Sequence, residues 1–491
     1  MPLHLHVLLR GIMIVCRKAF FGSLVLGVLT TGCASEKPLS VQLELPSGFE
    51  NGTSGGESAW PGQDWYRGFS SDELTTFVER ARQNNWDLAG AAARIAQADA
   101  RARQAGAAIL PKVDATGNAN YLAGHSTNGT AHETDWSALL SASYEVDFWG
   151  KNRATANAAR FSLSASRADR DTLALTTLAG VANGYFQVLA LRERLTIARS
   201  NFDAARQLLE VVQARSDVGM ATPAELASQK VATANAGLQI TELEQQESEA
   251  RAALAILVGQ VPERFVIVGG PLDSLTEPVI AAGLPAELLT RRPDVLAAEA
   301  NLQAAHADLA AARAAMFPSF TLTAGGGLQS PAMNAAVLTL PGTGLTLSLG
   351  ASLVQTIFDH GRLRARRDET QAKDLELLAA YHSAIVAALL DVENALSAVH
   401  HLDTAREYQT ESLTQSEQAF EGAKLRYQAG SGDFLTLLDA QRTLYTARDQ
   451  SIQYKLARLR ALVALCKALG GGWTPPVGNP GSAVSEPRAG L

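Results

Sequence analysis

The chain has 491 residues, enough for two or more ordinary domains. Hydrophobic residues make up 47% but aromatics only 6%, and a composition dominated by Ala, Leu and Gly suits long helices that pack closely. A net charge of −7 argues against nucleic acid as the main partner, and the absence of an uninterrupted 18-residue apolar run after the first 33 residues predicts no later transmembrane helix.

Residues 1–32 read as an export leader. Arg10, Arg17 and Lys18 form a basic start, Ala19 to Leu29 is an apolar core too short for a comfortable span, and Thr30, Thr31 and Gly32 lead into Cys33. That order resembles a bacterial lipoprotein signal, in which Cys33 is acylated and becomes the first mature residue. Thr30 stands where Leu is common, so an ordinary cleaved leader with an incidental cysteine stays open, and Met13 gives a better-proportioned start than Met1. Removing residues 1–32 takes away three cations and no acid, so the net charge goes from −7 to −10. Beyond this region only Cys466 remains, so no intrachain disulfide can form. Residues 33–59, with Gly52, Ser54, Gly55 and Gly56 in one cluster, read as a flexible tether, and residues 474–491 as a disordered tail.

The body between these segments is an internal duplication. Each half runs helix, proline, two alternating segments, a glycine-basic step, and a very long helix. The first helix stops at Leu110-Pro111 and its counterpart at Phe317-Pro318. The alternating segments close at Phe148-Trp149-Gly150-Lys151 and again at Phe358-Asp359-His360-Gly361-Arg362. An offset of about 210 residues is far longer than a solenoid repeat. The first repeat is taken as 60–282, with a strand pair at 112–149 and a helical hairpin at 151–257; the second as 283–473, with a strand pair at 318–358 and a hairpin at 361–469.

The alternating segments carry the membrane signal. Trp136, Ala138, Leu140, Ala142, Tyr144, Val146 and Phe148 share one strand face, and Ser137, Ser141, Ser143, Glu145 and Asp147 the other. The runs around Val113 to Tyr121, Phe320 to Leu328 and Leu345 to Leu353 alternate in the same way. Period two over about ten residues is the pattern of a membrane strand, apolar toward lipid and polar toward a lumen. Four strands cannot close a barrel, and open edges are not tolerated in lipid, so several copies must share one barrel.

From Lys151 to about Arg215 there is no proline, and Val181, Val188, Leu195, Phe202 and Leu209 recur every seven residues. From Arg362 to about Gln428 the chain is again free of proline, with Ile385, Leu389, Val392, Leu396 and Val399 as a seam. Helices of this length reach about 100 Å, longer than any bilayer. Each then meets a turn, Val218-Gly219-Met220 with Pro223 as a restart, and Ala429-Gly430-Ser431-Gly432-Asp433. Returning helices are predicted from about Ala224 to Leu257 and from about Phe434 to Leu469.

Several stretches resemble the TolC-like outer-membrane efflux channels, and within them the lipoprotein, or NodT-like, branch. GLPAELLTRRPDV at 283–295 is highly characteristic of that branch, the two strand-to-helix junctions match, and so do Tyr427-Gln428-Ala429-Gly430, Phe434 to Gln441, and ALGGGW at 468–473. The likeness covers roughly residues 60–473, with Cys466 where an aromatic is usual. It implies a mainly α protein with a membrane β part. Three copies would share a twelve-stranded β-barrel, four strands each, continuous with a long periplasmic α-helical coiled-coil barrel. A mixed equatorial belt would draw on residues 60–80, about 258–285 and the chain after Leu469. It further implies a homotrimer anchored in outer-membrane lipid. Its partners would be a periplasmic adaptor protein, docking at Val218, Gly219, Met220, Ala429, Gly430 and Ser431, and an inner-membrane efflux pump.

No metalloprotease, P-loop, nucleophile-elbow or dinucleotide motif appears, and no enzyme, cofactor or metal centre is expected. His400 and His401 are adjacent and face different ways on a helix. Gly325-Gly326-Gly327 lies inside a strand, where it permits bending or close strand approach, and Arg291-Arg292 reads as structural. Passive conduction then needs a gate where the hairpins converge. Glu421, Lys424, Arg426, Gln428 and Asp433, within about three turns of the second tip, are candidates for a closed aperture; a solvated outer face is the alternative. Drug efflux, metal efflux and protein secretion remain open as tasks, with the leader and the 283–295 run favouring small molecules and a proton-driven pump. A coiled-coil surface lipoprotein is the competing class, but it has no use for four lipid-facing strands.

Overall fold

A computed structural model describes residues 46–50, 60–126, 129–280, 285–330, 344–471 and 473. The leader, Cys33, most of the 33–59 tether and the 474–491 tail lie outside these residues. The described residues all belong to one packed unit beginning at Pro46, so the two repeats are not separate bodies.

The elements come in chain order as α1 (Asp72–Asn84), α2 (Trp86–Ala107), β1 (Lys112–Ser126), β2 (Gly129–Val146), α3 (Lys151–Asp217) and α4 (Pro223–Val258). The second repeat supplies α5 (Pro293–Ala314), β3 (Ser319–Ser330), β4 (Gly344–Val354), α6 (Arg362–Gln428) and α7 (Phe434–Ala468). The long helices α3 and α6 have 67 residues each. Both start the same way. A glycine in the left-handed region, Gly150 at φ 80° or Gly361 at φ 87°, turns the chain out of the sheet. An aspartate then accepts the free amides of the first turn: Asp147 from Asn152 and Arg153 at 3.0 and 2.8 Å, Asp359 from Gly361 and Leu363 at 3.0 Å each. Trp149 ties the first of these junctions to the step between α5 and β3, donating Nε1–H to the Pro318 carbonyl at 2.8 Å and stacking on Phe317.

The strands form one antiparallel sheet in the order β1-β2-β3-β4. The β2–β3 pairing joins the repeats, and its register keeps the two faces in phase. Val113, Ala142, Ala324 and Leu349 stand side by side across all four strands, as do Ala115, Leu140, Gly326 and Leu347. One residue along, Asp114, Ser141, Gly325 and Ser348 form a polar row. A register slip of one residue would mix these faces. Three details differ from the sequence reading. Strand β2 starts at Gly129, upstream of Trp136, because it must match the length of β1. Asp147 and Phe148 lie past its end, since Asp147 is used as the α3 cap. Leu139 falls on the polar face, where Gly327 makes room for it: a Cβ there would sit 2.8 Å from Leu139 Cδ2 and 2.2 Å from the Ala138 carbonyl oxygen. This is the close strand approach expected of the glycine triplet.

The duplication is visible at the level of single contacts. Asn85 donates to the Leu257 carbonyl at 2.9 Å, and Arg292, its counterpart, to the Ala468 carbonyl at 3.2 Å. A glycine with positive φ follows each contact. A Cβ on Gly259 would lie 2.3 Å from the Asn84 carbonyl oxygen, and one on Gly470 2.2 Å from that of Arg291. Only glycine tolerates either position.

The largest core wraps the middle of α3. Trp65, Phe69 and Phe77 pack there with Tyr185, Phe186, Leu254 and Phe265. The strap after α4 is held by polar contacts: Glu73 accepts from the amides of Val268 and Gly269 at 2.7 and 2.9 Å, and Arg458 pairs with Glu277 at 3.0 Å. The seam of α3 follows Val181, Val188 and Leu195 as expected, then shifts. Phe202 and Leu209 are only half-buried, and Ala198, Ala205, Leu208 and Val212 take over the core. A 3.6-residue helix drifts out of a strict seven-residue repeat, and Phe202 turns onto the bare backbone of Gly237 in α4. Helices α3 and α6 each contain an 18-residue window apolar enough to cross a membrane, although no uninterrupted apolar run exists. Their length exceeds any single span, and the α3 window is largely packed within the chain whereas most of the α6 window is uncovered.

Candidate functional site

Two regions can act on the outside world, the sheet and the hairpin tips. On the apolar face of the sheet Val113, Leu140, Leu347, Leu349 and Leu353 are exposed. That surface has no place in water, and it is bordered below by exposed Phe148, Ile357 and Phe358 beside the Trp149–Phe317 stack. Within the chain the outer edges of β1 and β4 have no strand partner among the described residues.

At the first tip α3 ends on Gly219 at φ 74°, and the Met220 amide reaches back to the Arg215 carbonyl at 2.7 Å. The Thr222–Glu225 capping box then restarts the chain as α4. Val218 and Met220 are left exposed, 69% and 65%. The second tip repeats the device. Gly430 sits at φ 74°, and the amides of Ser431 and Gly432 both donate to the Arg426 carbonyl. Leu425 and Leu435, which the sequence reading passed over, are exposed beside Ala429, Gly430 and Ser431. Nothing local distinguishes them from seam leucines; only the outward face of each helix does.

The five gate candidates do not form one group. Glu421, Lys424 and Gln428 share a helix face, with Glu421 and Lys424 paired at 3.4 Å. Arg426 points to the opposite side of α6. Asp433 is committed to capping α7, accepting from the Thr436 amide at 2.9 Å and the Thr436 hydroxyl at 2.6 Å. The Thr436 hydroxyl, and then its amide, hold the Asp433 carboxyl below the usual range.

The contact that joins the two tips was missed from sequence. Arg215, in the last turn of α3, donates Nη1–H to the Tyr427 carbonyl at 2.8 Å, and its guanidinium lies 4.6 Å over the Tyr427 ring. Tyr427 packs into a separate tip core with Val212, Phe420, Phe434 and Leu437, and its buried hydroxyl has no hydrogen-bond partner. A basic residue near a helix C-terminus is a readable signal; its partner on another hairpin is not.

Arg292 of the basic pair is buried and structural. It grips Asp294 at 2.6 Å, Asp391 at 2.9 Å and the carbonyls of Ala388 and Ala468. Burial opposes the charge on Asp294, but the hydrogen bonds and charge of Arg292 outweigh it and hold that carboxyl below its ordinary range. Arg291 instead lies 4.6 Å over the ring of Trp60. His400 and His401 touch only edge to face, and among the described residues no group of three or more His, Cys, Asp or Glu is placed to hold a metal ion.

A family model described as outer membrane efflux protein matches residues 77–260 and 284–471. The chain is 44% identical over 462 residues to the pyoverdine export outer membrane protein OpmQ of Pseudomonas aeruginosa, covering 92% of this chain and 96% of that protein. It is 26% identical to the cation efflux system protein CusC of Escherichia coli, with 86% and 91% covered. Among solved structures it resembles the outer-membrane channel OprN, with a TM-score of 0.82, 26% identity, and 90% of this chain and all of that one covered.

Proposed function

The chain belongs to the outer membrane efflux protein family and is an outer-membrane efflux channel, not an enzyme; on that footing we propose that three copies build one exit duct, fed by an inner-membrane pump through a periplasmic adaptor. The observation that carries the trimer is the sheet. It has four strands, one apolar face and two open edges, and it runs into helices of 67 residues. Unpaired edges in lipid are prohibitively costly, and three such sheets make a closed, even-numbered barrel of ordinary size.

The exposed tips are the docking surface for the adaptor, with Val218 and Met220 on one hairpin and Leu425 and Leu435 beside Ala429, Gly430 and Ser431 on the other. Arg215 bridging to Tyr427 holds the hairpins together in the closed duct, and Glu421, Lys424 and Gln428 line the narrowed aperture. The likeness to a pyoverdine exporter supports a siderophore of that type as the exported small molecule. The 283–295 run and the leader support the lipoprotein branch, with cleavage before Cys33 and acylation of its thiol.

Reconstitution of the purified protein in planar bilayers tests the duct. Discrete conductance steps from a light-scattering-verified trimer are expected, and more frequent ones from Arg215→Ala. A verified trimer silent in both forms would defeat the proposal. For the anchor, labelled palmitate should enter the wild type and not Cys33→Ser; equal labelling would exclude Cys33.

A further inference from the structure

The apolar face of the sheet is not flat. Two neighbouring rows across β2, β3 and β4 are built in opposite senses. Ala142 and Ala324 stand beside Leu349, and two residues nearer the helices Tyr144 and Leu322 stand beside Ala351. The register therefore sets methyl groups where a large side chain would level the surface, and leaves Tyr144, Leu322 and Leu349 standing around them as walls. With Pro111 at the foot of β1 these residues bound an open groove of about 570 Å³. The row between the two belongs to the polar face, so the floor of the groove is backbone. No charged side chain among the described residues lines it.

We propose that this groove seats one acyl chain of a phospholipid in the periplasm-facing leaflet, one lipid per chain. The inference rests on the sheet standing in the outer membrane with its apolar face toward lipid, and not on the trimer, the docking tips or the gate. The height of the groove selects the occupant. Exposed Phe148 and Phe358, beside the Trp149–Phe317 stack, mark the level of the headgroups. At about 3.4 Å per residue along strands tilted by about 35–45°, Tyr144 lies about 10 Å above Phe148 and Ala142 about 15 Å. In a hydrocarbon core about 30 Å thick that is the deep half of one leaflet. A polar ligand, or a peptide with unpaired backbone groups, has no place there. A chain lying against Ala142 and Ala324 touches Tyr144, Leu322 and Leu349 at its sides, so it gains dispersion contacts that a lipid on a flat strand lacks. Because the lining carries no charge, the groove reads the hydrocarbon chain and not the headgroup.

Lipid titration tests the groove. Delipidated full-length protein receives palmitoyl-oleoyl phosphatidylethanolamine and is followed by native mass spectrometry. One phospholipid per chain is expected to bind ahead of the rest, and phosphatidylglycerol with the same chains is expected to bind equally well. Ala142→Phe combined with Ala324→Leu fills the groove and should weaken this first event at least roughly tenfold. Tyr144→Ala removes one wall instead and should weaken it as well. Ala138→Leu, on the same face but outside the groove, should leave it unchanged. Conductance steps in planar bilayers should persist in all three variants. Lipids that bind without a distinct first event would overturn the groove and leave the channel standing. So would a first event that survives both filling and wall removal, or one that Ala138→Leu weakens equally. Wild-type protein that neither inserts into bilayers nor binds phospholipid would overturn the membrane placement and the groove together.

Discussion

Removing Arg215 should open the duct. A hydrogen bond from a charged donor contributes about 1.5–3 kcal/mol, and a cation–π contact reached by solvent about 0.5–1 kcal/mol. The donor distance is 2.8 Å and the ring distance 4.6 Å, both well inside contact range. Arg215 is half-exposed, so the low end applies, and the pair holds the tips closed by about 2 kcal/mol per copy, roughly 30-fold in the closed-to-open ratio. Single-channel recording in planar bilayers should show Arg215→Ala raising the open probability at least roughly 30-fold, with Arg215→Lys between, because lysine keeps the charge but loses the planar fork. Tyr427→Phe is the discriminating control. The acceptor is the Tyr427 carbonyl and the buried hydroxyl has no partner, so this variant should stay as closed as wild type or more so. An unchanged open probability for Arg215→Ala in an intact trimer, or opening by Tyr427→Phe, would refute the bridge.

Arg292→Ala removes a charged group that is 7% exposed and leaves Asp294 and Asp391 facing each other; both are exposed enough to rehydrate, so the expected cost is about 2–3 kcal/mol. Hydrogen exchange in peptides covering 288–296 and 465–471 should quicken by roughly 30- to 150-fold. The same contact sets an acid limit. Because the Asp294 carboxyl is held below its ordinary value, its stabilisation is complete above the usual carboxylate range and is lost as pH falls through the lowered value; the protection factors of these peptides, corrected for intrinsic exchange at each pH, should fall in acid, and Arg292→Ala should remove that acid-dependent loss. Gly470→Ala should block folding, with a Cβ 2.2 Å from a carbonyl oxygen, whereas Gly219→Ala, at a similar φ but in open space, should cost only about 1–2 kcal/mol and yield trimers; recovery of membrane-inserted trimer separates them. Met220→Asp and Leu435→Asp should leave conductance steps intact and weaken adaptor binding at least tenfold in a titration with the purified adaptor.

Much of the architecture is legible in the residues because it depends on short-range periodicity. Alternation at Trp136 to Val146 and at Leu345 to Leu353 marks strands. Pro111, Gly150, Gly219 and their counterparts Pro318, Gly361 and Gly430 mark where elements stop and start. The duplicated order of those signals gives two repeats, and four strands with one apolar face already require several copies. The hairpin tips could be placed from Gly219 and Gly430 for the same reason, since a positive φ after a long helix is a local demand. Leu425 and Leu435 could not, because outward and inward leucines read alike along a helix. What only the tertiary structure decided are pairings between distant residues. These include β2 beside β3, Leu139 lying over Gly327, Phe202 leaving the seam for Gly237, Arg215 reaching Tyr427, and Arg292 gathering carbonyls from α6 and α7. Each depends on how two helices or strands far apart in the chain come to lie at contact distance. Periodicity fixes which face of an element is apolar, but not which of several apolar faces it meets.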